Sequence, residues 1–233
     1  MSDRSWLRLG AASGVLYVIL ELVGFSVGVA GGGMVLSLAS TDQEIAKALA
    51  APVGNAAWIG LYLEVIAFLF FIAFVGRLTT TLRQHEGEGG WGSATVLGAG
   101  ILFAVLSIAS FAVQGAYDYR VGHGMDVQLA SILVYLSSGT YTLSWAATAL
   151  FAIAVGLTGI RTRAVPGWLS WSSIMIGVLH LIGTAAPTSA LAQMPPFLFL
   201  IWVVAATVVL WRRSGGPAAA TARAYAAEQP GMA

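Results

Sequence analysis

Cysteine is absent from this chain of 233 residues, which removes disulfides, thiolate nucleophiles and Cys-ligated zinc or iron–sulfur centres from consideration. Charge is almost as scarce. Only 9% of the residues are Asp, Glu, Lys or Arg, and Lys47 is the single lysine among 11 basic residues. A net charge of +1 leaves no basic face to neutralise a run of phosphates, so no nucleic-acid partner is expected. Also missing are a G-x-S-x-G elbow, an H-E-x-x-H pair, a Walker loop, a quartet of metal ligands and the aspartate-rich magnesium-diphosphate motifs of membrane prenyltransferases. No metal and no cofactor are expected, and no catalytic motif argues for an enzyme.

What the chain has is apolar bulk. It is 58% hydrophobic with a mean hydropathy of +0.83, against soluble averages of about 45–50% apolar and about 25% charged. The lipid bilayer is therefore its expected solvent and first partner. Preference for Arg over Lys, with heavy use of Ala, Gly and Val, points to a GC-rich bacterial genome and hence to the plasma (inner) membrane.

A helix crosses a hydrocarbon core about 30 Å thick with about 20 mostly apolar residues. That ruler gives six spans: Leu9–Val29, Val53–Gly76, Trp91–Tyr117, Ser138–Ile160, Trp168–Ala185 and Pro195–Trp211. Nine arginines fall on one side of this scheme (Arg4, Arg8, Arg77, Arg83, Arg161, Arg163, Arg212, Arg213 and Arg223), and Lys47 and Arg120 on the other. Basic residues are retained in cytoplasmic loops. The expectation is an all-α, six-span bundle with both termini cytoplasmic, and Trp91, Trp168 and Trp211 as interfacial anchors. Arg4 and Arg8 ahead of an apolar run ending near Ala30 also fit a cleavable signal. That run is longer than a usual signal core, carries Glu21, and its removal would leave an odd number of spans. Residues 1–213 read as one membrane domain and 214–233 as a flexible cytoplasmic tail.

Two outer segments carry helical signals. Thr41 and Glu44 form a capping-box pattern that should start a short helix over Thr41–Ala51. Met125, Leu129, Ile132, Leu133 and Leu136 share one face, as in a short interfacial helix. At one constant, gapless offset Asp42 falls on Asp126, Ala46 on Ala130, Leu49 on Leu133 and Arg77 on Arg161. Either low-complexity sequence has matched by chance, or spans one and two correspond to three and four as a same-orientation repeat. In the latter case Glu64 corresponds to Thr148.

Glu21 and Glu64 stand in the middle of the first two spans. A charge at the centre of a bilayer costs at least roughly 2.5–3.5 kcal/mol, so such residues face a bundle interior or a wet cavity. Helix phase agrees. Gly10, Gly14, Tyr17, Glu21, Gly24 and Gly28 make one stripe of small and polar residues, the kind along which membrane helices approach closely. The same phase groups Ala57, Gly60, Glu64 and Ala67 in span two, and Ser107, Ser110, Gln114 and Tyr117 in span three. Span four contributes Ser137, Tyr141, Ser144 and Thr148, and span five Ser170, Ser173, Gly177, His180 and Thr184. Span six has only Thr207 and is expected to be the most peripheral. Glu21 lies thirteen residues after Arg8 and Glu64 thirteen before Arg77, about 20 Å from the arginine plane. His180, seventeen residues after Arg163, is expected somewhat further out. Gln114 and Asp118 come near the outer surface.

Glu21, Glu64, Gln114, Tyr141, Thr148 and His180 are thus the candidate ligand-binding residues of an outward-facing polar pocket. If spans one and two are neighbours, the two carboxylates meet and share a proton. The expected occupant is a small amphiphilic or proton-coupled ligand, bound or transported. A second reading is an intramembrane enzyme acting on a lipid or isoprenoid, in which Glu64, Glu21 and His180 would be the catalytic groups. A third is an accessory protein whose outer helices bind a partner. Purely structural hydrogen bonding of the glutamates and of His180 stands beside all three. The glycine run Gly31–Gly33 reads as a flexible turn. His85, Glu86 and Glu88 read as a solvated inner loop, and His123 with Asp118 and Asp126 as an outer one.

The Arg-flanked first span, the apolar run Phe68–Arg77, and Arg161, Arg163, Pro166, Trp168, Leu169 and Trp171 entering span five resemble the six-span bacterial membrane proteins of domain-of-unknown-function family 4386. This resemblance covers most of residues 5–212. It implies a membrane bundle and carries no assigned activity. Asn55, Ala57 and Trp58, with Glu64 six residues beyond the tryptophan, are more remotely similar to small membrane terpene cyclases. In those the acidic residue is expected almost directly after the tryptophan.

Overall fold

The computed structural model describes residues 3–33, 36–50, 53–121, 125–189, 192 and 194–213. The expectations for His123 and for the tail 214–233 lie outside these. Seven α-helices and no strand occur among the described residues: α1 (Asp3–Ala30), α2 (Asp42–Leu49), α3 (Asn55–Glu86), α4 (Trp91–Arg120), α5 (Val127–Thr162), α6 (Gly167–Ala185) and α7 (Met194–Arg213). All except α2 are long and apolar enough to cross a membrane. The molecule is an all-α polytopic bundle with six candidate spans. Its long helices form a closed ring in chain order, each packed on the next, with α7 returning to α1. One end of the ring carries Arg8, Arg77, Arg161 and Arg213 and is called the arginine end below.

Glycine sets a close seam between α1 and α3. In α1 and α3, Gly24, Gly28 and Gly60 meet backbone to backbone. A Cβ on Gly24 would sit 2.9 Å from the Gly60 carbonyl oxygen, and one on Gly60 would collide with the backbone of Gly24 and Gly28. Without a hydrophobic force between helices in lipid, such contact is how spans associate. The run Gly31–Gly33 is not a loose turn. It closes α1, with Gly32 at φ 85°, Gly33 N–H donating to the Gly28 carbonyl, and the Gly31 carbonyl accepting from Gly54 N–H at 2.9 Å. The segment therefore pins the end of α1 to the start of α3.

Three further expectations are corrected. First, the segment from Met125 to Leu136 is not a separate helix, because α5 runs unbroken through it. The sequence carries Pro52 after α2, and a proline interrupts a helix; the corresponding position in the second passage is Leu136, which does not. Second, α3 continues ten residues past Gly76, since Leu78 and Leu82 are fully buried. Its last residue, Glu86, is no solvated loop carboxylate. It accepts from Gly92 N–H at 2.7 Å and Ser93 N–H at 3.0 Å, serving the free donors at the start of α4. Third, α7 is not peripheral. Phe199, Trp202, Val203, Ala206 and Leu210 are buried, and the Trp202 indole donates to the Leu169 carbonyl. Arg213 donates to the Ala164 carbonyl. Its inner face is aromatic and aliphatic, so a search for polar stripes passes over it.

At the centre, Phe71 is fully buried and its ring lies 5.0–6.3 Å from those of Tyr17, Phe68, Phe74, Phe103, Phe151 and Phe199. Such tilted and edge-on pairs add to simple packing. A second, smaller cluster lies at the end away from the arginines, where Ile45 and Ala48 of α2 pack on Tyr117, Val121, Ala130 and Val134. Ser131 donates to Asp42 at 2.9 Å and the Tyr135 hydroxyl to the Ser40 carbonyl at 3.1 Å. The α2 segment is thereby laid over the ends of α4 and α5. Its capping box is formed as expected, with Thr41 N–H donating to Glu44 at 2.7 Å.

Three outcomes are expected. Phe71→Ala should lower stability in detergent by about 3 kcal/mol, read from the unfolding transition; a loss below about 1 kcal/mol would contradict a central role. Gly60→Ala should cost about 2 kcal/mol through overpacking, whereas Gly98→Ala, whose Cβ would meet nothing within 4 Å, should be neutral. Equal effects would refute the seam. At α2, the hydrogen bonds from Thr41 hold the Glu44 carboxyl below its ordinary range. A depressed carboxylate stabilises above its unfolded pKa, and that contribution is lost as pH falls through the folded one. Hydrogen-exchange protection factors of α2 should therefore fall under acid conditions, and about fivefold at neutral pH in Thr41→Ala. Unchanged protection in both experiments would remove the capping box as a determinant.

Candidate functional site

The ring encloses a cavity of about 340 Å³ lined from all six long helices, within the range of about 300–1,000 Å³ usual for small-molecule sites. Its floor is the upper side of the phenylalanine cluster, at Phe68, Phe103 and Phe199. Its walls are mostly apolar, and its polar groups converge from five helices.

All six residues expected to bind ligand are in this lining: Glu21 from α1, Glu64 from α3, Gln114 from α4, Tyr141 and Thr148 from α5, and His180 from α6. The glycine seam positions the two carboxylates. A Cβ on Gly24 would lie 2.8 Å from Glu64 Cγ, so Glu64 extends across the backbone of α1 one turn beyond Glu21. In the antiparallel register set by Gly24, Gly28 and Gly60, Glu21 and Glu64 differ in height by roughly 4.5 Å. They interact electrostatically with each other and with Tyr141. Oε2 of Glu21 is buried without a hydrogen-bond partner, an acceptor that is costly to leave unsatisfied.

His180 is deeper than its position in the sequence suggests. Its ring lies 5.9 Å from that of Phe199, edge to face, on the cavity floor. Counting from Arg163 places it too far out, because α5 ends at Thr162 and α6 starts only at Gly167; the intervening residues add no helical rise. The Nδ1 contact at 2.9 Å to the Ile176 carbonyl requires a hydrogen on Nδ1, since a carbonyl only accepts. That leaves Nε2 as the nitrogen a ligand could use.

Sequence reading left several lining residues out of the site. Tyr17 lies one turn from Glu21 on the same stripe, and Trp145 one turn from Tyr141, their rings 5.9 Å apart. Asp118 was expected near the surface, yet it is buried in the lining and accepts from the Gln114 amide at 3.1 Å. The i, i+4 spacing was the available signal in each case. Ser110 and Ser137 bond reciprocally across α4 and α5, so their polarity is largely spent on holding the wall together.

Glu21, Glu64 and His180 do not form a metal-ligand set; no group of three His, Asp or Glu side chains suited to one occurs among the described residues. Of the residues behind the terpene-cyclase likeness, Ala57 and Glu64 line the cavity, but Asn55 and Trp58 do not. Asn55 is exposed, and Trp58 packs against Tyr119. The outer face of α2 is polar, its apolar side being used within the molecule. Compared with known proteins, the chain matches no family model, no curated protein and no solved structure.

Proposed function

We propose that this protein is a multi-pass component of the bacterial plasma membrane, its arginine end cytoplasmic, that binds or transports a small amphiphile in the central cavity. The observation that carries this reading is the combination, in one chamber among six candidate spans, of apolar walls with two facing carboxylates at mid-depth. Two carboxylates in a low-dielectric site repel unless a proton or a cation stands between them. Exchange of one for the other couples ligand binding to protonation. The other titratable groups facing the pair are Tyr17, Asp118, Tyr141 and His180.

Kinship with domain-of-unknown-function family 4386 belongs to the same proposal. It is supported by the stretch Arg161–Trp171, which forms the α5–α6 turn. There Leu169 is buried, Trp168 and Trp171 are exposed as membrane-interface anchors would be, and the Ala164 and Leu169 carbonyls receive α7.

The test is a thermal-stabilisation screen of purified protein in detergent against small amphiphiles at several pH values. A subset should stabilise the wild type, and Glu21→Gln and Glu64→Gln should each weaken that response about tenfold, as for loss of a charge-assisted hydrogen bond. Both variants should remain folded. Wild-type response and pH dependence retained in both variants would leave the carboxylates with a structural role alone.

A further inference from the structure

The cavity has a side. Among its described lining residues, the exposed ones are Leu22 (45%), Phe25 (49%) and Val29 (47%) on α1 and Phe197 (60%) on α7. All four are apolar, and the lining residues of α3, α4, α5 and α6 are buried or half-buried. Leu22, Phe25 and Val29 recur at three- and four-residue steps, forming a stripe that flanks Glu21 on the side away from the glycine seam. At the arginine end α1 and α7 are in contact, with Gly14 against Thr207 and the Arg8 guanidinium over the Trp211 ring at 5.6 Å. Seven residues further along each helix, Glu21 and Leu200 are level with one another and both line the cavity, with the exposed Leu22 and Phe25 on one helix and Phe197 on the other beside them. With the six candidate spans across a bilayer, the outside of the bundle at that height would face hydrocarbon.

The lining also has a sign. Among its described residues it contains the carboxylates of Glu21, Glu64 and Asp118 and no Arg or Lys, so it offers no fixed positive charge to a phosphate or carboxylate head, only neutral donors such as the Trp145 indole and the Tyr141 hydroxyl. Gln114 already donates to Asp118, whereas Glu21 Oε2 has no donor. Tyr17, Tyr141 and Trp145 line the same cavity as the carboxylates, and aromatic faces attract cations. A protonated amine supplies the missing donors and separates the two like charges.

We propose that the cavity takes a lipophilic ammonium, an amine head on an apolar body, and that it enters sideways from the hydrocarbon layer between α1 and α7. This rests on the amphiphile-binding reading above and assigns its ligand class and route. The head sits between Glu21 and Glu64, and the apolar body lies along Phe25 and Phe197 in the gap.

The experiment uses the full chain in lipid nanodiscs and radiolabelled dodecylamine, with dodecanol and dodecanoate as matched neutral and anionic probes. Displaceable binding of the amine should exceed that of either by at least about tenfold. Because the chain has no native cysteine, a bulky maleimide can be placed at Phe25→Cys or, independently, at Leu22→Cys. Each should slow binding and release at least about tenfold, while the same label at Leu150→Cys, on the exposed side of α5, should not. Dodecanol or dodecanoate binding as well as the amine would overturn the ammonium assignment and leave amphiphile binding standing. Rates in both gap variants equal to those of labelled Leu150→Cys would overturn the lateral route. Absence of displaceable binding for all three probes would remove the amphiphile-binding reading itself.

Discussion

The backbone contact of α1 and α3 at Gly24, Gly28 and Gly60 is the constraint from which the rest of the molecule follows. Lipid chains are as apolar as leucine, so helices in a membrane gain from association only through close packing and polar contacts. The glycines let two helix axes approach until backbone meets backbone. That approach places Glu64 across α1, sets its height against Glu21, and turns the flank bearing Phe25 toward α7. Bulk at Gly24 or Gly60 would collide with the partner backbone beside Glu64 and so disturb the relative placement of the two carboxylates.

A division of labour along the bundle axis follows. At the arginine end the interior is filled by Phe71 and its six aromatic neighbours, with Leu78 and Leu82 beyond them. Toward the other end the same six helices enclose a chamber. The filled half holds the helices in place, which allows the other half to stay open. The α2 segment then covers the ends of α4 and α5 with its own small apolar cluster, using a capping box to begin a helix only eight residues long.

Much of this was legible in the chain. Span count, the inward face of each of the first five spans and the six candidate ligand residues follow from hydropathy and helix phase, and these cues are local. What escaped was set by contacts between distant segments. The depth of His180 depends on how many residues the α5–α6 turn consumes, and the continuity of α5 on the lack of a proline where Pro52 stands in the other passage. Burial of Asp118 follows from helix geometry at the end of α4 and from the segment laid over it. The place of α7 was hidden for a different reason. Its inner surface is Phe199, Trp202 and Val203, and apolar residues facing an aromatic core look the same in sequence as those facing lipid. The side of the cavity was likewise invisible, because exposure of Phe25 and Phe197 is a property of two helices far apart in the chain.

Closure of the ring by its last helix bears on how the molecule is made. Each of α3 to α6 can pack on the long helix synthesised before it, but the second flank of α1 is met only by the final span, α7. Until then the slot that receives Phe199 and Trp202 stands open, with Phe71, Phe103 and Phe151 along one wall. The chamber is thus the last part of the protein to come into being during biosynthesis. A chain halted before Met194 would lack the wall that Phe197, Phe199 and Leu200 supply beside the two glutamates.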